Sequence, residues 1–219
     1  MKMHRILTTS ILLLAGASSL LAQRPEIEIT ARATRMEISG SSDSFGDPEQ
    51  DFISEFDTDT GFGLGVNVFL TDSFSVETTA TLLEPDFGVR LFDDDGPIGL
   101  QPVEIIPITL GVQYHIRPVR WLDVYAGVGG AYIFIDDVNV PGNLALEDVG
   151  SLEIDDEAGF MANIGVTFEL RGSLGLNIDA RYLGVEPDAS ISFIRGDFET
   201  DRTIEFNPVL LSAGIAWRF

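Results

Sequence analysis

The chain has 219 residues, no cysteine and a formal charge of −22, yet 45% of it is apolar and its mean hydropathy is +0.19. Without cysteine there are no disulfides, no thiol chemistry and no lipid-modified cysteine anchor. The acidic excess leaves no basic patch to neutralise phosphates, so nucleic acid is not a partner. High apolar content and high charge in one chain must be segregated along it.

The chain opens on Lys2, His4 and Arg5, followed by an apolar run from Ile6 to Leu21 that ends on small residues. This pattern reads as a secretory signal peptide over 1–22, with cleavage after Ala22; Ala15-Gly16-Ala17 also fits the small-x-small rule. The run is short for a bilayer helix, and no later segment approaches about 18 uninterrupted apolar residues. The remaining domain, 23–219, carries 11 arginines, no lysine and 35 acids, a charge of about −24.

Within 23–219 the dominant signal is two-residue alternation. It predicts eight strands at about 26–38, 61–70, 74–83, 105–116, 122–135, 158–170, 174–184 and 204–219. Most approach the roughly 9–11 residues that a tilted membrane strand needs. The connections alternate. Thr71-Asp72-Ser73, 117–121 and Arg171-Gly172-Ser173 are tight turns, whereas 39–60, 84–104, 136–157 and 185–203 are long, acidic and expected to be mobile and solvated. Short turns on one side and long loops on the other are the pattern of an outer-membrane barrel.

Two faces run through these strands. One is apolar: Phe62, Leu64, Val66; Ile106, Ile108, Leu110, Val112; Phe160, Ala162, Ile164, Val166. The other carries Gly63, Gly65, Asn67; Ser75, Glu77, Thr79; Thr109, Gly111, Gln113, His115; Asn163, Thr167, Glu169; and Asn177, Asp179, Arg181. A soluble barrel would turn the second face to water, where many Lys and Glu are expected. Small residues with a few charges of both signs fit a narrow interior better, with Glu77, Glu169, Asp179, Arg181 and Arg218 free to pair. Phe74, Tyr114, Trp121, Phe168, Trp217 and Phe219 flank the short turns or the C-terminus. Phe62, Phe134, Phe160 and Tyr182 lie near the long loops, so the aromatics form two girdles. The expected fold is therefore all-β: an eight-stranded antiparallel transmembrane β-barrel with short periplasmic turns and long extracellular loops, in the cell outer membrane.

Particular residues carry a family resemblance. Ile106-Pro107-Ile108-Thr109-Leu110-Gly111-Val112-Gln113-Tyr114-His115, a turn, and then Val124-Tyr125-Ala126-Gly127-Val128-Gly129-Gly130-Ala131-Tyr132 resemble two successive strands of the OmpW family. Asp179-Ala180-Arg181-Tyr182, and Phe206-Asn207-Pro208 leading to Ala213-Gly214-Ile215-Ala216-Trp217-Arg218-Phe219, are similar to its last strands. Val124 stands where the family has a proline, and residues 24–100 match in strand layout alone. The resemblance implies a monomeric barrel that passes small hydrophobic molecules across the outer membrane, through a narrow apolar funnel with lateral release into the bilayer. It makes Pro107 the candidate lateral opening, since a proline removes a ladder hydrogen bond; a bulge or strand-start proline is the other reading.

Phe87, Leu91, Phe92, Ile98 and Leu100 are the candidate funnel lining, or else pack within their own loop. His115 is either a hydrogen-bonded plug residue or the base of a site that would also need a serine and an acid. Asp93-Asp94-Asp95-Gly96 and Asp155-Asp156-Glu157 lack the spacing of a calcium loop; they either bridge divalent cations to lipopolysaccharide or form a solvated crown. The sequence therefore predicts transport without a catalytic residue, resident metal or cofactor, with outer-membrane lipid, lipopolysaccharide and small hydrophobic molecules as partners. The alternative is a structural or interaction barrel whose acidic loops bind divalent cations, lipopolysaccharide or a surface partner.

Overall fold

A computed structural model describes residues 26–38, 52–56, 58–91, 98–136, 149–193, 199–203 and 206–219. The expected signal peptide and the cluster Asp93-Asp94-Asp95-Gly96 lie outside them. Every described element is a strand: β1 (Glu26–Ile38), β2 (Phe52–Phe56), β3 (Asp59–Phe69), β4 (Phe74–Leu82), β5 (Asp86–Leu91), β6 (Ile98–Pro102), β7 (Ile105–Val119), β8 (Leu122–Ile135), β9 (Val149–Ile154), β10 (Glu157–Arg171), β11 (Leu174–Gly184), β12 (Asp188–Phe193), β13 (Glu199–Thr203) and β14 (Pro208–Arg218).

Eight of these close into an antiparallel barrel in the order β1-β14-β11-β10-β8-β7-β4-β3, with β3 returning to β1. The terminal Phe219 completes the seam: its amide donates to the Ile27 carbonyl at 2.9 Å and its carbonyl accepts from the Ile27 amide at 3.0 Å. These strands match the eight expected ones. The exceptions are β14, which begins at Pro208 rather than near 204, and β7, which runs to Val119 with a register shift between Ile116 and Val119; the bulge admits Pro118 inside a strand, where the sequence had suggested a turn.

The long connections differ from expectation. Instead of open loops they contain two further three-stranded sheets, β2-β5-β6 and β9-β12-β13. Each ties neighbouring connections together, β2 pairing with β5 and β9 with β12. The acidic composition concealed short stretches such as Phe52-Ile53-Ser54-Glu55-Phe56, which lack clean alternation and whose backbone groups are satisfied by pairing across connections.

The apolar face points outward. Leu64, Leu110, Val128 and Ile164 are all at least 60% exposed, while the alternate residues are buried inside. Both girdles form, with Phe74 against Tyr114, Trp121 stacked on Phe168 and Trp217 against Phe219 at the short-turn end. Tyr132–Phe134 and Phe160–Tyr182 pair at the other end.

Eight strands leave little room inside, and glycines make the fit. Gly111 and Gly129 face each other across β7 and β8, and a Cβ on Gly129 would land on the Leu110 carbonyl oxygen. Gly172, at φ +68°, provides the left-handed residue of the β10–β11 turn. Gly129→Val is expected to destabilise the barrel by roughly 1–3 kcal/mol or more through overpacking. The neighbouring outward Gly130, whose Cβ would approach only the Gly159 carbonyl at 3.7 Å, should accept Val. Mobility of the folded form on unboiled gels, with urea midpoints in lipid, checks the pair.

Candidate functional site

The alternation that turns apolar residues to the outside places charge and hydrogen-bonding groups inside, where each must find a partner. Glu77 on β4 is the centre of this interior. Arg32 Nη2 of β1 donates to its Oε1 at 2.6 Å, and Arg181 Nη2 of β11 donates to its Oε2 at 2.6 Å. Gln113 Nε2 adds a bond to Oε2 at 2.7 Å and is itself held through Oε1 by Asn67 Nδ2 at 2.9 Å. Arg181 also donates to the hydroxyls of Thr79 and Thr109. Asp179 Oδ2 accepts from Tyr125 Oη at 3.1 Å and Asn163 Nδ2 at 2.9 Å. Asn177 Nδ2 donates to Tyr125 Oη and to Thr167 Oγ1, each at 2.9 Å. Side chains from seven barrel strands thus cross-link the lumen, and the pocket left among them holds about 10 Å³, room for about one water.

Towards the short turns lies a second cluster. His115 Nε2 meets Ser75 Oγ at 2.8 Å and its Nδ1 meets Asp123 Oδ1 at 3.0 Å. Arg117 and Arg218 both donate to Asp123 Oδ2 at 3.1 Å. Arg218 further binds Glu28 at 2.8 Å and Glu169 at 3.2 Å, and its guanidinium lies 4.5 Å from the Phe69 ring centre. A Ser–His–Asp series is the arrangement that activates a nucleophile. Here Ser75 has no accessible surface, and Asp123 is shared with two arginines. A polar cavity of about 260 Å³ lined by Arg117, Arg218, Glu28 and Glu169 opens at this end.

At the opposite end the interior changes character. Met36, Leu83, Ile105, Ile133, Met161, Leu183 and Leu210 are all at most 3% exposed and pack as one apolar cluster. The transition occurs within a single step of the alternation: Thr34 to Met36, Thr81 to Leu83, Arg181 to Leu183 and Ser212 to Leu210. The lumen is thus an apolar layer seated on a charged, hydrogen-bonded floor.

Pro107 lies beside this layer, buried on β7. The β4–β7 ladder pairs Ala80 with Ile108 and resumes at the Leu83–Ile105 bridge. Leu83 and Ile105 exchange both backbone bonds, so by the antiparallel two-residue period Thr81 and Pro107 occupy the next such position. Proline has no N–H to give, and the ladder is interrupted there. Of the other candidates, Phe87 and Leu91 fall on β5 and Ile98 and Leu100 on β6, two paired strands of one sheet, and Phe92 lies outside the described residues. Asp156 Oδ1 accepts the Ile135 amide at 3.1 Å. Among the described residues no group of three or more His, Cys, Asp or Glu side chains is placed to hold a metal ion.

A family model for the OmpW family matches residues 23–219. The chain belongs to the OmpW family. OprG from Pseudomonas aeruginosa superposes with a TM-score of 0.78 at 21% identity, over 90% of this chain and 97% of that one. AlkL in lipid bilayers superposes at 0.64 and 20% identity, over 93% and 94%. A Rickettsia conorii outer membrane protein is 27% identical over 162 residues, 73% of this chain and 59% of its own. The chain spans between 45% and 59% of the length of the Rickettsia outer membrane proteins it matches. This OmpW-family chain is an outer-membrane barrel, its apolar face in lipid, its short turns periplasmic and its long connections extracellular.

Sequence alternation marked Glu77, Gln113, His115, Asp179 and Arg181, but Arg32, Asp123 and Tyr125 were passed over. The same signal pointed to them. Arg32 alternates with Ala31 and Ala33, and Asp123 and Tyr125 continue the series Gly127, Gly129, Ala131. The apolar layer had a signal too, in runs apolar on both faces such as Leu82-Leu83, Tyr132-Ile133-Phe134-Ile135 and Leu210-Leu211.

Glu77→Ala would leave two buried guanidiniums without their shared counter-charge, a loss expected to cost about 3–5 kcal/mol. Replacing Arg32, Glu77 and Arg181 together by Ala should remove most of the plug, leaving Asp179 with only Tyr125 and Asn163 as its hydrogen-bond partners. The triple variant is then expected to conduct ions across planar bilayers well above the wild type, while Glu77→Ala alone lowers the urea midpoint.

Proposed function

We propose that this barrel carries small hydrophobic molecules across the outer membrane by lateral release. The observation that carries the reading is the buried apolar layer resting on a sealed polar floor. A molecule entering from the extracellular side finds apolar surface first and is then met by the Arg32–Glu77–Arg181 cluster, where desolvation of the charges opposes it. The axial way to the periplasm is closed, so the favourable exit is sideways into lipid.

Pro107 stands beside that exit. The missing bond between Thr81 and Pro107 weakens β4–β7 at the depth of the apolar layer, which makes this seam the candidate gate. Met36 and Met161, unbranched and deformable, allow the layer to part around a cargo. The barrel acts as a monomer, exported with residues 1–22 removed, with lipopolysaccharide around its extracellular rim. It does no chemistry on the cargo.

The test is uptake of a labelled hydrophobic compound by vesicles with lipopolysaccharide in the outer leaflet and the refolded protein in the bilayer. Pro107→Val supplies the missing N–H to the Thr81 carbonyl and is expected to slow uptake several-fold without loss of folding. Wild-type uptake no faster than in protein-free vesicles, across several compounds, would overturn the reading.

A further inference from the structure

We propose that the small pocket at the floor of the apolar layer is a binding site for one neutral carbonyl oxygen, so that the favoured cargo is a slender apolar molecule ending in a ketone, aldehyde or ester. As a statement about cargo it rests on the transport reading above; as a statement about binding it stands on the geometry below.

The pocket lies between Arg32, Arg181, Thr34, Thr81, Ser212 and Gly63, and its volume of about 10 Å³ admits a single oxygen-sized group. Two of its walls present donors that nothing accepts. Arg32 Nε and Arg181 Nε are buried and without a hydrogen-bond partner, on side chains only 6% and 3% exposed. Arg181 Nε approaches Asp179 Oδ1 at 3.4 Å, an ion-pair approach that is not a hydrogen bond. A buried N–H left unpaired is costly, so an acceptor in a pocket lined by both arginines is stabilised by any of these donors it reaches. A carbonyl oxygen has the two lone pairs that two donors require.

Charge and shape narrow the choice further. Arg32 and Arg181 are already balanced by Glu77 and Asp179, and Asp179 itself lines the pocket. A carboxylate there would add an uncompensated negative charge beside a buried aspartate, which favours a neutral acceptor. Directly above, on four separate strands, the next inward residues are Met36, Leu83, Leu183 and Leu210. The site therefore sets two arginines with unpartnered donors beneath a packed apolar cluster, which would part around a hydrocarbon chain with one oxygen at or near its end. A pure alkane would meet the same apolar side chains and leave both donors unpaired.

Gly63 gives a way to close the pocket without disturbing the arginines. A Cβ built there lies 3.0 Å from Thr81 Oγ1 and 3.5 Å from Thr34 Oγ1, within the pocket itself. The measurement is the isotope-edited infrared carbonyl band of 2-decanone labelled with ¹³C at the carbonyl, added to folded wild type and to Gly63→Ala in bilayers. Uptake of 2-decanone, decane and decanoate is followed in lipopolysaccharide-containing vesicles. The expected result is a carbonyl band at lower frequency than in protein-free lipid, absent in Gly63→Ala, with 2-decanone taken up several-fold faster than decane or decanoate by the wild type alone. An unshifted band in folded wild type means that the pocket holds water only and overturns the proposal, even if all three compounds pass. A shifted band that disappears in Gly63→Ala, with no protein-dependent uptake of any compound, upholds the site and overturns the transport reading instead.

Discussion

A lipid bilayer gives the backbone no hydrogen-bond partners, so a sheet that enters it must leave no open edge. In this chain the last bonds of that closure are made by Phe219 and Ile27 at the junction of β1 and β14. Closure with eight strands fixes the interior at a width that side chains can nearly fill. From that width follow the facing glycines at 111 and 129, the absence of space for a broad aqueous channel among the described residues, and the need for each interior group to be satisfied by another side chain.

The polar floor is the expensive part of such an interior. Four charged side chains, Arg32, Glu77, Asp179 and Arg181, are withdrawn from water and are tolerated because each meets an opposite charge or several hydrogen bonds. Their arrangement is also selective. A hydrophobic molecule that reached them would have to displace bonds it cannot replace, whereas one carrying an acceptor meets two donors already lacking a partner. Sealing the axis and recognising a polar end are thus two consequences of the same cluster.

The seam at Pro107 is the counterpart of that seal. The β4–β7 ladder lacks a backbone bond at the level where apolar side chains fill the lumen, and the proposed lateral release puts its gate there. The β2-β5-β6 sheet joins the connections that enter β3 and β7 on either side of this seam. Pairing between connections therefore stiffens the extracellular end next to a wall that is locally less bonded.

Much of the barrel was legible in the amino-acid order. The two-residue period placed eight strands, gave each a lipid face, and assigned Glu77, Gln113, His115, Asp179 and Arg181 to the interior, because a strand's geometry converts parity directly into side. Parity also holds Arg32, Asp123 and Tyr125, whose faces contrast less cleanly because alanine and other small residues stand on both sides of their strands. The sheets β2-β5-β6 and β9-β12-β13 were hidden by acidic composition, since five- and six-residue strands pair across connections remote in sequence.

What the sequence determined by itself is the class of molecule: alternation, girdles and the closing aromatic strand are local properties, and lipid imposes their meaning residue by residue. What only the tertiary structure decided is which interior groups meet. Glu77 stands between Arg32, 45 residues before it, and Arg181, 104 residues after it. Thr34 reaches Ser212 across 178 residues. The pocket and its two unpartnered donors exist because strand order and register bring those positions to one depth of the barrel. Parity fixes the side of the wall on which a residue lies, and closure fixes its neighbours.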